Sequence, residues 1–205
     1  MKSFIALILA VLPCAAVCQD KPLPKVYVSQ QVLSDKEARL REEDNEKKCA
    51  DKISLALQNL VDKDDVMKDL LKQAGKLNSK SRPAQYDLLA ARVKVQGDDW
   101  AALSVDLREA IKVLPSAPGE ALSARIRTSR VYSEKAKHDA LKFKAAVSAL
   151  AKPSPAKAPA GTDRKASEAA HRLVSSKKLA AAADTLVRMA GQLAAAGKFL
   201  AVAGK

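Results

Sequence analysis

The sequence predicts an all-α protein built from antiparallel helical hairpins, arranged either as a solenoid or as an elongated bundle. Aromatic residues make up only 3% of the 205 residues and glycine occurs seven times, a composition that disfavours a β-sandwich or barrel. Alanine, leucine, lysine and acidic residues dominate instead, as they do in long helices. Apolar residues also recur at three- and four-residue steps through four blocks, which proline or glycine separates.

The N-terminal segment 1–18 is typical of a signal peptide. Lys2 supplies a positive charge, Phe4 to Leu12 form an unbroken apolar run, and small residues precede the expected cleavage site after Ala16 or Cys18. The run is too short to span a bilayer. We therefore expect an exported protein, periplasmic, secreted or on the cell surface, whose mature chain begins near Gln19.

Residues 19–32 contain two prolines and are expected to form an extended leader, followed by a helical domain over residues 33–151. Ser34 and Glu37 form a capping box, which predicts that the first helix starts near Asp35. The acidic run 62–65 predicts a turn between two shorter helices. The apolar stripe of this first block contains Cys49, Ile53, Ala56, Leu60, Met67, Leu70 and Ala74.

Two further helical blocks complete this domain. One runs from Pro83, a favourable first helical residue, to Leu114, and the other runs over residues 119–150. Trp100 lies on the stripe of the first of them, so we expect it to pack in the core rather than to serve as a ligand platform. The two stripes contain Tyr86, Leu89, Val93, Trp100, Leu103, Leu107 and Leu114, and then Leu122, Ile126, Ser129, Ser133, Ala136, Ala140, Phe143, Val147 and Leu150.

Residues 152–162 are rich in proline, alanine and lysine and predict a semi-rigid linker. The segment 163–205 is predicted to be a basic amphipathic helix with a seam of Leu179, Ala182, Leu186, Met189, Leu193, Ala196 and Leu200. It is expected either to dock separably on a partner or to pack permanently as a fourth helix. Its candidate partner-binding residues are Arg164, Lys165, Arg172, Lys177, Lys178 and Arg188.

A shift of 34 residues superposes Leu55 on Leu89 and the acidic pair 64–65 on 98–99, and this is the period of tetratricopeptide repeats. The stretch from Leu88 to Trp100, with the closing Pro115, resembles one such repeat. The resemblance implies short antiparallel helix pairs, with a tight turn at Gly97 and Asp98. It also implies a non-enzymatic scaffold that presents a groove between helices.

The composition and layout also resemble those of the alanine-rich helical coat proteins of trypanosomatid parasites, although residues 197–205 are short and charged where those proteins carry an apolar anchor signal. A structural coat or surface protein without a specific ligand is therefore the alternative function. We expect no enzyme, because no Gly-x-Ser-x-Gly motif or Gly-rich phosphate loop occurs. No cofactor is expected. His138 and His171 lack a second ligand at metal spacing, and Asp62, Asp64 and Asp65 lack the glycine and glutamate of a calcium loop.

The formal net charge of +13 indicates attraction to acidic partners. Residues 151–205 carry ten Lys or Arg against three acidic residues, a surplus of seven. For an exported protein, the expected partner is a protein or an anionic envelope component, with peripheral membrane contact possible and no nucleic acid expected. Cleavage after Cys18 leaves Cys49 as the one cysteine of the mature sequence, where it is expected to be a small buried residue or an intermolecular bridge.

Overall fold

A computed structural model describes residues 30–78, 80–151 and 163–205 as four α-helices. They are α1 (Gln30–Lys76), α2 (Pro83–Lys112), α3 (Glu120–Ala151) and α4 (Asp163–Ala203). These ranges contain no β-strand, so the predicted all-α class is confirmed. Residues 1–37 form a unit of their own, of which the described part is the exposed start of α1. The second unit consists of residues 38–205, in which the four helices pack together.

Polar contacts between the helices define how α1 packs. It runs antiparallel to α2, because the Cys49 thiol donates to the Ala110 carbonyl and Lys63, about four turns further along α1, contacts Asp99, which precedes Ala110 in α2. It runs parallel to α3, because Arg125 donates to the Ser54 hydroxyl at 2.8 Å while Lys135 meets Asp64 ten residues later. Helix α1 therefore lies between α2 and α3.

Helix α4 fills the fourth corner. It packs against both α2 and α3. The Ser175 hydroxyl donates to Asp87 at 3.1 Å and Gly97 lies beside Leu186, so α4 runs parallel to α2. Lys144 pairs with Asp184 at 2.9 Å, while the start of α3 meets the end of α4, so these two helices are antiparallel. Around the bundle the order is α1, α2, α4, α3, which places α2 and α3 at opposite corners.

The predicted apolar stripes form the core, which runs the length of the bundle. Every stripe residue of the first block is buried, and so are most of those in the other three. Leu114, Leu150, Ala182 and Met189 are half-buried at the margin of the core. The largest fully buried side chains are Trp100, Phe143, Ile53, Met67, Leu70, Leu107, Leu179, Leu186, Leu193 and Leu200.

Two predicted turns are wrong, because α1 continues through residues 62–65 and α2 continues through Gly97 and Asp98. Both acidic runs find lysine partners while they remain helical: Lys135 holds Asp64, and Lys63 holds Asp99. Buried residues of one core stripe lie on both sides of each acidic run. An interruption of the helix there would remove backbone hydrogen bonds and expose apolar surface. The short helix pairs implied by the tetratricopeptide resemblance are therefore not formed at these positions.

The helix boundaries agree with the sequence where proline or glycine sets them. Pro83 is the first residue of α2, and the Gln85 side chain accepts a hydrogen bond from the Arg82 N–H at 2.8 Å. The first helix, however, begins at Gln30 rather than near Asp35, so the extended leader was predicted to end too late. No proline or glycine lies between Pro24 and Asp35, and the extension of an existing helix costs little free energy per residue. The segments predicted to be a signal peptide (1–18) and a linker (152–162) lie outside the described residues.

Of the two outcomes predicted for the C-terminal segment, the structure shows the packed fourth helix. Leu179, Leu186, Leu193 and Leu200 are fully buried against the body of the bundle. The burial of four leucine side chains stabilises the fold by roughly 1.5–3 kcal/mol each. Helix α4 is therefore part of the core, and only its outward face is available to a partner.

The burial of Trp100 predicts a large effect on stability. Its ring is 2% exposed, so Trp100→Ala should lower the free energy of unfolding by about 3–5 kcal/mol. Chemical denaturation followed by circular dichroism measures this value. Leu88→Ala is the control, because Leu88 lies on the outside of the same helix and its truncation should change stability by less than about 0.5 kcal/mol. Equal losses in the two variants would contradict the packing role of Trp100.

Candidate partner-binding surface

The α2–α4 groove is a shallow groove of about 400 Å³ on the outside of the bundle. Helix α2 contributes Ala90, Ala91, Lys94 and Asp98 to its walls, and helix α4 contributes Lys178, Ala181, Ala182 and Thr185. Four of these eight residues are alanines, so the floor is apolar and smooth. A groove of this volume lies within the range of ligand-sized pockets.

Small residues let α2 and α4 approach closely beneath this groove. A side chain on Gly97 would place its Cβ 3.9 Å from the Cα of Leu186, so the two backbones nearly touch there. Alanines on both helices continue this close approach. A close parallel pair of helices leaves a continuous furrow along its outer side, into which the side chains of a third helix can pack.

Charged groups of both signs stand at the edges of the groove. Lys178 lies 3.8 Å from Asp87, and Asp87 also accepts a hydrogen bond from Ser175. Lys94 and Asp98 sit one turn apart on the α2 side. This pattern matches the polar rim that surrounds the apolar centre of many protein interfaces.

The outer stripe of α2 extends the apolar surface beyond the groove. Leu88, Val95 and Val105 are 66%, 59% and 54% exposed, which is high for large aliphatic side chains. With small exposed residues they form an outer stripe on the side of α2 away from the core, which Asp98 and Asp99 interrupt between Val95 and Ala102. The outer stripe consists of Ala84, Leu88, Ala91, Val95, Ala102 and Val105. Ala91 belongs to both the groove and the outer stripe.

The basic residues predicted from the sequence are spread over several sides of α4. Lys177 and Arg188 are exposed, Lys178 lines the groove, and Arg172 is half-buried. Arg164 and Lys165 lie in the first turn of α4, and their side chains are outside the described part. Lys178 is thus the one member of the set that lines the α2–α4 groove. The sequence analysis did not predict the outer stripe of α2, although its spacing is visible in the sequence. The inner stripe of the same helix is more strongly apolar and hides the second pattern.

The residues whose side chains could have a chemical role are Cys49, His138 and His171. Cys49 is buried, and burial, with a smaller effect from Glu46, raises the pKa of its thiol. Its packing fits the expectation of a small buried residue. His138 and His171 are exposed. Within residues 30–78, 80–151 and 163–205, no three His, Cys, Asp or Glu side chains are grouped so that they would hold a metal ion.

A cavity of about 10 Å³ lies beside Trp100 between α1, α2 and α3, and Asp64, Tyr132 and Asp139 supply polar groups to its wall. This space is sufficient for one water molecule and too small for a larger ligand. Asp64 pairs with Lys135 of α3 at 2.6 Å and with Lys68 at 2.9 Å. Burial tends to raise the pKa of the Asp64 carboxyl, but the hydrogen bonds from the two lysines outweigh it and hold that pKa below its usual value.

Residues 167–203 of α4 are long and apolar enough to cross a membrane when judged by length and composition alone. The same is true of many core helices in bundles, and 44% of the most apolar window of this segment is buried among the other helices. The place of α4 in the core therefore accounts for the buried part of this apolar segment.

No protein-family model, no curated protein and no solved structure matches this chain. The function of the protein is therefore inferred from the surfaces of its bundle.

The Asp64 ion pairs predict a pH-dependent contribution to stability. Because the folded pKa lies below that of the unfolded chain, near 3.9, the contribution is present above about pH 4 and is lost as the pH falls through the folded pKa. Asp64→Asn should cost about 0.5–1.5 kcal/mol at pH 7, since the two lysines are partly exposed, and almost nothing near pH 2. Denaturation curves from pH 2 to pH 7 measure the difference.

The control for this experiment is Asp65→Asn. Asp65 also contacts Lys68, but its side chain is highly exposed, so we expect a loss below about 0.5 kcal/mol at every pH. A cost of Asp64→Asn that stays constant between pH 2 and pH 7 would show that the change acts through shape rather than through charge.

Proposed function

We propose that this protein is an exported, non-enzymatic helical scaffold that binds a protein partner on the α2–α4 face of its bundle. The observation that carries the proposal is the apolar surface formed by the alanines of the α2–α4 groove and the adjoining part of the outer stripe from Ala84 to Val95. Exposed apolar surface of this kind, rimmed by charges, marks interaction sites in soluble proteins.

An amphipathic helix is the partner element that fits this face best. The groove has alanines on its floor and runs between two parallel helices, so the ridges of a third helix can enter it. The spacing of Leu88, Ala91 and Val95 matches the repeat that a facing helix presents. Lys94, Asp98 and Lys178 would set the orientation of the partner through their charges.

The basic charge supports the attraction of an acidic partner rather than a single polyanion-binding patch. Lys177, Lys178 and Arg188 lie on α4, but Lys178 already contacts Asp87. Long-range attraction depends on the summed charge, so the net +13 of the full sequence, which falls by one to +12 when Lys2 is removed with segment 1–18, raises the rate of encounter with acidic proteins or anionic envelope components. In this proposal charge steers the encounter and the apolar face supplies the affinity.

A second candidate function is a structural coat or surface protein in which copies pack side by side. The outer stripe favours it, because apolar residues at coiled-coil spacing can face the same helix of a neighbouring copy. Light scattering at increasing concentration separates the two functions. A monomer up to millimolar concentration supports the scaffold, while a growing particle mass supports the coat.

The groove makes a testable prediction for partner binding. A photo-crosslinking amino acid at Ala91 should capture a distinct polypeptide in extracts from the producing cells, and the crosslinked peptide should come from one of its helices. Val95→Glu should abolish capture, because a buried unpaired carboxylate is costly. Leu141→Glu is the matched control, since Leu141 is exposed on α3, on the far side of the bundle from α2. Equal capture by the Val95→Glu and Leu141→Glu variants would show that the partner does not bind at the outer stripe of α2.

Export makes a separate prediction. Native protein should be recovered outside the cytoplasm with an N-terminus near Gln19, because segment 1–18 has the charge, apolar run and small residues of a cleaved signal. N-terminal sequencing of the purified native protein tests this. A chain that begins at Met1 and fractionates with cytosolic markers would contradict it.

A further inference from the structure

A second groove lies between the first half of α3 and the end of α4. We call it the α3–α4 groove. Its volume is about 660 Å³, within the range of pockets that hold small molecules. The lining residues from α3 are Ser123, Ile126, Arg127, Arg130, Val131 and Glu134, and those from the C-terminal part are Ala201, Gly204 and Lys205.

Close contact between the two helices gives the groove its apolar floor. A side chain on Gly204 would come within 2.9 Å of Ile126, and one on Gly197 would come within 2.8 Å of the Ser133 hydroxyl. With no side chains at these glycines, α4 settles onto α3, and Ile126 and Ala201 remain at the bottom of the groove. Val131, 65% exposed, forms part of one wall.

Arg127, Arg130 and Lys205 give the groove three positive charges against one negative charge from Glu134. Arg127 and Arg130 are three residues apart on α3, which brings their side chains to the same side of the helix. Neither forms an ion pair or a hydrogen bond with another residue among those the structure describes. Glu134 lines the same groove but forms no ion pair with either arginine among the described residues, so both guanidiniums can donate to a bound anion.

We propose that the α3–α4 groove binds a single-chain anionic amphiphile of the fatty-carboxylate class. The carboxylate would lie between Arg127 and Arg130, where the two guanidiniums can donate to both of its oxygens. The alkyl chain would follow the floor at Ile126 and Ala201 and the wall at Val131.

The chemistry of the walls favours this ligand over an extended peptide. Both walls are α-helices, whose backbone N–H and C=O groups are already paired within each helix. A peptide strand would find no backbone partners and would leave its own polar groups unsatisfied. A fatty carboxylate combines one anionic group for the arginines with an apolar chain for the floor of the groove. An inorganic anion would use the arginines but would gain nothing from the apolar floor.

This inference is independent of the partner-binding face. The α2–α4 groove lies on the other side of α4 and shares no residue with the α3–α4 groove. Loss of partner binding and loss of amphiphile binding can therefore be measured separately.

Titration of the delipidated mature protein with oleate, below the concentration at which oleate forms micelles, tests the proposal by calorimetry. We expect one site per chain, and binding of oleyl alcohol and of phosphate at least about tenfold weaker, because each lacks either the charge or the chain. The double variant Arg127→Gln/Arg130→Gln should weaken oleate binding at least about tenfold. The double variant Lys177→Gln/Arg188→Gln removes the same charge from exposed positions outside the groove and should leave oleate binding unchanged.

Val131→Glu tests the position of the chain. Its side chain is exposed, so the fold should be kept, as circular dichroism will show, while oleate binding weakens. Equal affinity for oleate and oleyl alcohol, or equal loss in both double variants, would overturn the proposal. Binding to phosphatidylglycerol vesicles without binding to monomeric oleate would also overturn it, and would make the patch a membrane-contact surface.

Discussion

The close approach of α4 to its two neighbours is the constraint on which the rest of the bundle depends. Gly97 packs beside Leu186 on one side, and on the other side Gly197 leaves the space that Ser133 occupies, so α4 lies close to both α2 and α3. Dispersion forces fall off steeply with distance, so small residues at these points let the leucines of α4 reach the core. Both grooves on the surface follow from this geometry, since each is the furrow beside a closely packed pair of helices.

The buried polar residues obey the same constraint. Ser129 and Ser133 are fully buried on α3, and each hydroxyl donates to a backbone carbonyl of its own helix. Their small size and internal hydrogen bonds let them face α4 without a polar partner across the interface. A larger polar residue at either position would need a partner that α4, with alanine and glycine at this level, does not offer. The serines that weaken the apolar stripe of α3 in the sequence are therefore part of its packing.

The sequence predicted the all-α class, the packing stripes and the bounds of α2, α3 and α4 to within two residues, because proline and helical periodicity act locally. The prediction of a turn at Gly97 and Asp98 was wrong, because this turn motif lies within a helix. The contacts of Gly97 with Leu186 and of the neighbouring Asp99 with Lys63 outweigh the local preference for a turn. The two grooves could not be predicted, since they depend on which helices are neighbours. The basic residues of α4 were found, but their distribution around the helix depends on which face is buried.

The placement of α2 and α3 at opposite corners has a consequence for the order of folding. Helix α4 is synthesised after the other three, yet it joins these corners through contacts between residues as far apart as Ser175 and Asp87, 88 positions along the chain. Contacts of such long range form late, because a large loop must close first. The first three helices would therefore remain without one side of their core until α4 has been made. A chain that stays open until α4 emerges exposes the apolar faces of its first three helices to solvent during synthesis.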